Sequence, residues 1–191
     1  MSHPQLLDTG SRFYTGVGSS RTPPDICAFI ISLAEYLATT GMILRTGANK
    51  GADQAFAAGA TEHREVYSPY TDAGGYSNGI VITEREITEQ AIGIAAGLHP
   101  EWKNYNDFAR KAHTRCIYQV LGADLRTPSA YVICYASIDD QGQIEGSTRT
   151  TVAIAQARNI PVYNLHDLAT RTKFRKRLEE IALLQAQMAN L

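Results

Sequence analysis

Net charge is nearly absent from this chain: 18 Lys plus Arg stand against 19 Asp plus Glu, a balance of -1. That excludes a broad basic surface for long nucleic acid, though not a small cationic pocket. Cysteine is scarce as well. Cys27, Cys116 and Cys134 are widely separated and odd in number, so they supply no disulfide framework. No set of His, Cys or carboxylate residues has metal-ligand spacing, so neither a metal nor a cofactor is expected. Cys27 and Cys134 lie in apolar runs and read as small core residues. No apolar stretch is long enough to span a membrane, and the N-terminus lacks a signal-peptide core. The expected compartment is a reducing cytoplasm, with no membrane partner. What remains is 191 residues of which 44% are hydrophobic. That is enough for one compact domain with a full core, and no repeat or linker divides 1–191.

Glycine and proline punctuate the chain into alternating strands and helices. Residues 12–17 form a β-prone run ending in glycine. Pro23 and Pro24 suit the first turn of a helix that continues with Ile26, Phe29, Ile30, Leu33 and Leu37 at helical spacing and closes at Gly41. A strand at 42–45, an Ala-rich helix at 51–63 and a strand at 64–68 follow. Strand, helix, strand, helix, strand is the opening of a parallel sheet with crossover helices. The fold class is therefore α/β, a Rossmann-like doubly wound parallel sheet in three αβα layers. The rhythm then breaks. A helical and loop insertion at 66–122 contains a flexible loop at 72–79, a helix at 84–96, a turn at 99–102 and a helix at 104–121. It is long enough to wall or cover a pocket. Strand four is expected at 130–136, a helix at 150–158, strand five at 160–164 and a C-terminal helix within 167–191.

Three glycine-rich turns stand where strands should give way to helices. They are Gly16-Val17-Gly18-Ser19-Ser20-Arg21, Thr46-Gly47-Ala48-Asn49-Lys50-Gly51-Ala52-Asp53 and Glu145-Gly146-Ser147-Thr148-Arg149-Thr150. Each joins small residues to hydroxyl or cationic side chains. A phosphate needs that combination: close backbone approach, free N–H donors and nearby positive charge. In the first turn Gly16 and Gly18 leave the backbone open, Ser19 and Ser20 can donate, and Arg21 offers a planar fork; a plain tight connection is the alternative. In the second, Arg45 and Lys50 bring charge. Asp53 either caps its helix or accepts a ribose hydroxyl or base N–H, and Asn49 either binds or takes a left-handed turn. In the third, Ser147 and Thr148 either cap a helix or bind phosphate, and sequence cannot separate the two. In an open parallel sheet, ligands gather at the carboxyl ends of the strands, where all three turns can meet.

These segments resemble the SLOG superfamily of Rossmann-like nucleotide-binding proteins, which includes the DNA-processing protein A and Lonely Guy branches. The nearest likeness is to its small stand-alone phage-type members. It is carried by residues 14–23, by 44–56 including Gly47-Ala48-Asn49-Lys50-Gly51-Ala52-Asp53, by His113-Thr114-Arg115-Cys116 with Gln119-Val120-Leu121-Gly122, and by Gly146-Ser147-Thr148 with Ile160-Pro161-Val162-Tyr163-Asn164-Leu165. The resemblance implies a nucleotide-derived ligand and a homo-oligomer. For a phage protein it implies sequestration of an immune signalling nucleotide, such as a cyclic dinucleotide or an ADP-ribose derivative, in the host cytoplasm. Three departures bear on chemistry. Ser147 stands where such proteins usually carry a second glycine, and Cys116 where they usually carry Asn. Thr151 stands where the Lonely Guy enzymes, which cleave the base from nucleoside monophosphates, carry their catalytic glutamate. Non-catalytic binding is the expectation, with no catalytic residue assigned. A Lonely Guy-like hydrolase is the alternative, and it would need an acid or base from Asp53, Glu145, His113 or His99. A single-strand DNA module is disfavoured by the charge balance.

The remaining candidates lie outside the turns. Arg115 either clamps a phosphate or forms a surface ion pair. Tyr67, Tyr70, Tyr76 and Trp102 either stack on a base or pack at the rim of the core. On the C-terminal helix, Phe174, Leu178, Ile181, Leu184 and Met188 form an apolar stripe opposite Arg171, Lys173, Arg175, Lys176 and Arg177. That stripe either covers the sheet or pairs with its copy in a second chain.

Overall fold

The computed structural model describes residues 10–71, 79–140, 142–144 and 146–188. The expected loop at 72–79, apart from Gly79, lies outside these residues, as do Tyr76 and Glu145. The elements run β1 (Phe13–Gly18), α1 (Pro24–Thr39), β2 (Ile43–Gly47), α2 (Ala52–Ala60), β3 (Arg64–Tyr67), α3 (Arg85–Leu98), α4 (Asp107–Leu121), β4 (Val132–Tyr135), α5 (Thr148–Ala157), β5 (Val162–Asn164) and α6 (Leu168–Met188), with a 3-10 turn at Trp102–Asn104. The five strands form one parallel sheet in the order β3-β2-β1-β4-β5. This is the α/β, Rossmann-like arrangement. α1, α2 and α6 lie on one face, and α3, α4 and α5 on the other.

Local sequence explains the element ends. Pro24 opens α1 with a preset φ, and Ile26, Phe29, Ile30, Leu33 and Leu37 turn one buried stripe to the sheet. Gly41, at φ 79°, ends it in the left-handed region. α2 stops earlier than the composition suggests, because Thr61 takes φ 49°. The Asn106 side chain caps α4 by accepting from Ala109 N at 2.9 Å.

Both faces of the sheet are packed. On the α1–α2 face, Tyr14 lies edge-on to Phe56 at 6.5 Å and stacks with Tyr131 at 5.9 Å. Fully burying side chains such as Ile30 and Leu33 contributes about 1.5–3 kcal/mol each. On the other face, Val17, Ile117, Val120, Val132 and Cys134 form the second core. α4 packs directly on β1, β2 and β3, so the segment between β3 and β4 supplies part of the main layer. α6 covers the sheet with its first half only. Phe174 meets Tyr163 edge-on at 5.5 Å and Leu178 packs on the first core, whereas Leu183, Leu184 and Met188 are exposed. At the β3 edge, Ile80 adds a short parallel bridge: Ser68 N donates to Ile80 O at 2.9 Å and Ile80 N to Val66 O at 2.7 Å.

The strand order decides where a ligand can sit. Chain connections leave β1 in opposite directions across the sheet, so the loops after β1 and β4 diverge and open a crevice between them. The two strand ends are in register there, Gly18 beside Tyr135.

Candidate functional site at the strand switch point

A cavity of about 500 Å³ occupies that crevice. All three glycine turns line it: Gly18, Ser19, Ser20 and Arg21 from the first, Asn49 and Lys50 from the second, and Gly146, Ser147 and Thr148 from the third. Ala136 and Ser137, which follow β4, complete the wall. Its size lies within the range of small-molecule sites.

The three turns do not contribute equally. The first is largely satisfied internally: Gly18 N donates to Asp53 Oδ1 at 3.0 Å, Ser19 N to Tyr135 O at 2.8 Å and Arg21 N to Ser19 Oγ at 3.1 Å. It is also tied to the second turn, since Ala52 N donates to Ser19 O at 3.2 Å. The backbone N–H groups of Ser20, Ser147 and Thr148 have no partner among the described residues. No side chain caps α5, so Ser147 leaves the capping role unused. Arg21 and Lys50 are exposed and form no ion pair among the described residues. The open donors thus sit chiefly on the third turn, with two exposed cations across from them.

Six of the residues expected at the ligand do not line this cavity. Gly16 is a packing position: a Cβ there would stand 2.7 Å from the Phe56 ring and 2.8 Å from Leu44 Cδ1. Ala48 is buried. Arg45 lies mid-strand, in register with Thr15 and Glu65, and turns toward the C-terminal end of α4. Its Nε donates to Glu65 Oε2 at 2.8 Å, its Nη1 donates to Thr127 O, and its guanidinium covers the Phe13 ring at 3.7 Å. Arg45→Ala is therefore expected to lower the urea midpoint while leaving ligand affinity unchanged, a pairing that calorimetry and denaturation together would check. A loss of affinity at unchanged stability would put Arg45 back in the site.

Gly47, Asp53 and Arg115 form one buried unit beneath the cavity. The Asp53 carboxylate and the Arg115 guanidinium both crowd the bare Cα of Gly47, where a Cβ would lie 2.5 Å from Asp53 Oδ2 and 2.8 Å from Arg115 Cζ. Asp53 and Arg115 are 2% and 4% exposed. Asp53 does not cap α2; it holds the Gly18 and Asn49 backbone N–H groups instead. Burial raises its pKa to about 6, against the lowering pull of Arg115 and of those two donors.

Behind the third turn, residues from three segments meet in a cluster that sequence spacing gives no sign of. Thr150 Oγ1 lies 2.8 Å from His99 Nε2 and 2.7 Å from His113 Nδ1. If the hydroxyl donates to one ring and accepts from the other, the ring that accepts must be neutral with that nitrogen bare, while the other presents an N–H. Burial first, then the His99 and Arg115 charges, lowers the His113 pKa to about 4; burial and Arg149 lower that of His99. The ring of Tyr105 stacks on His113 at 5.0 Å. Thr151, at the position of the Lonely Guy glutamate, is buried and turns its hydroxyl to Gln119 Oε1 at 3.4 Å. Cys116 Sγ lies 3.3 Å from Ala112 O and 3.6 Å from Ser147 O, within reach of the third turn.

These shifts oppose one another in pH. His113 resists protonation when folded, so its contribution is present above pH ~6.5 and lost as pH falls through about 4. Asp53 holds its proton more tightly when folded, so its contribution is present below pH ~3.8 and lost as pH rises through about 6. The two partly cancel across the shared window. Asp53→Asn removes one of them, so its urea midpoint should fall more steeply between pH 6.5 and 4 than that of the unaltered chain. Parallel pH profiles would contradict the assignment.

No protein-family model, curated protein or solved structure matches this chain. Among the described residues no helix is long and apolar enough to cross a membrane, and no group of three or more His, Cys, Asp or Glu could hold a metal ion.

Proposed function

We propose that the chain holds a phosphate-bearing, nucleotide-derived ligand at the switch point without turning it over. The observation that carries this reading is the meeting of all three glycine turns around one cavity, with N–H donors on the third turn and the cations Arg21 and Lys50, unpaired among the described residues, lining it. Donors of that kind suit phosphate oxygens. Release without turnover is favoured because Asp53, His99 and His113, the candidate acids and bases among the described residues, are engaged elsewhere. Asp53 lies beneath the Gly18 N–H, His99 and His113 share Thr150, and Thr151 faces Gln119. Following the SLOG resemblance, the ligand class extends to signalling nucleotides, and the role to capture of such a nucleotide in a phage-infected host. Self-association through the exposed Leu183, Leu184 and Met188 of α6 belongs to the same reading, and light scattering would measure it.

The direct test incubates the protein with a nucleotide panel, denatures it by heat and analyses the supernatant. Intact nucleotide released on denaturation is the expected result; free base or ribose phosphate would convert the reading to hydrolysis, and no retention of any phosphate-bearing compound would end it. Lys50→Ala and Arg21→Ala should each weaken binding by about 1–3 kcal/mol, roughly 5- to 150-fold in Kd, as for loss of a charge-assisted hydrogen bond. Unchanged affinity in both would remove the cavity from consideration.

A further inference from the structure

A second cavity, of about 550 Å³, opens beside the carboxyl end of β3, between α3 and α4. Its lining mixes apolar and aromatic side chains, Ile82, Ile92, Trp102 and Tyr118 among them, with polar and charged ones. Tyr70 stands at its edge, 37% exposed, with its ring 6.0 Å from that of Phe108, itself 64% exposed. A solvent-facing ring at the edge of the cavity, as Tyr70 is, offers a stacking face to a planar occupant.

Ser68 and Arg115 line this cavity, and Ser68 Oγ and Arg115 Nε are among the buried polar atoms without partners among the described residues. Ser68 is 5% exposed and Arg115 4%. Orphaned buried donors are rare, because each costs its full desolvation unless something accepts from it. The other cations of the lining are already engaged: Lys111 with Asp107 at 2.8 Å, and Arg110 with the Lys103 carbonyl at 3.0 Å. The Asp107 carboxylate also lines the cavity, which disfavours a second phosphate there. An aliphatic occupant would leave Ser68 and Arg115 unsatisfied. A heteroaromatic ring would fill the apolar space and present acceptors at its edge.

We propose that this second cavity binds a nucleobase-like heteroaromatic ring, with Arg115 Nε and Ser68 Oγ donating to its edge acceptors and the apolar and aromatic side chains of the lining covering its faces. Arg115 also connects the two cavities, because the rest of its guanidinium lies at Gly47 and Asp53, and Asp53 holds Gly18 of the first. Ring binding here does not rest on the phosphate reading above.

Trp102 is the sole tryptophan of the chain, so its emission reports occupancy of this cavity. Adenosine, guanosine, cytidine and uridine carry a base and no phosphate; at least one should change Trp102 emission saturably. Pyrophosphate alone should raise the melting temperature without that change. Tyr70→Ala, at an exposed position that spares the core, should weaken the nucleoside response at least fivefold, as expected for a lost stacking partner. Ser68→Ala should weaken it as well. No nucleoside response at millimolar concentration would overturn the proposal, as would a response that both variants leave untouched. A nucleoside response without any pyrophosphate stabilisation would instead sink the phosphate reading and leave this one standing; the converse would do the opposite.

Discussion

Gly51→Ala is expected to destabilise the protein by about 3–5 kcal/mol and to abolish stabilisation by phosphate compounds. Gly51 precedes α2 at φ 75° and ψ -123°, a region open essentially to glycine alone. Placing alanine there costs about 1–3 kcal/mol in backbone strain. The new methyl would also run into Ser19 O and stand 2.9 Å from the Ser20 carbonyl carbon and 3.0 Å from its Cα. Those are backbone atoms, which have no rotamer by which to retreat. Relief requires the first turn to move, and that turn carries Ser20 and Arg21 into the cavity. Urea denaturation reads the first effect and a pyrophosphate thermal shift the second. A loss under about 1 kcal/mol would mean that the two turns are not in contact as described.

Asp53→Ala should cost a similar amount, about 3–5 kcal/mol, a fall of roughly 10 °C in Tm for a chain of this size. The substitution removes the acceptor of two buried N–H groups, Gly18 and Asn49, and leaves Arg115 buried without its opposing charge. Asp53→Asn separates the two causes, because its amide oxygen can still accept from Gly18 N while the charge is gone. The expected order is Asn well above Ala in stability. Equal losses would assign the whole effect to the charge, and no loss in either would mean that Gly47, Asp53 and Arg115 do not act as a unit.

Much of the fold was legible in the chain. Pro24, Gly41 and Gly122 mark helix ends by backbone geometry, and short apolar runs mark parallel strands; both signals are local. The meeting of the three turns followed from topology, since every strand of a parallel sheet ends at the same edge. What sequence could not supply was the direction of each side chain. Arg45 looked like a strand-end cation, but β2 continues through Thr46 and Gly47, and that places Arg45 mid-sheet beside Glu65. Gly16 and Gly47 looked alike as glycines of phosphate turns, yet one makes room for Phe56 and the other for Asp53 and Arg115. His99, His113 and Thr150 come from three separate elements, and no spacing rule joins them. The apolar stripe of α6 reads as continuous, although only its first half has a sheet beneath it.

The bridge made by Ile80 has a consequence for solubility. An unpaired outer strand is a template on which further chains can add, and proteins commonly blunt it. Here the outer margin at β3 is occupied by Ile80, and at the opposite margin β5 is only three residues long. Neither offers the long bare ladder on which fibrils grow.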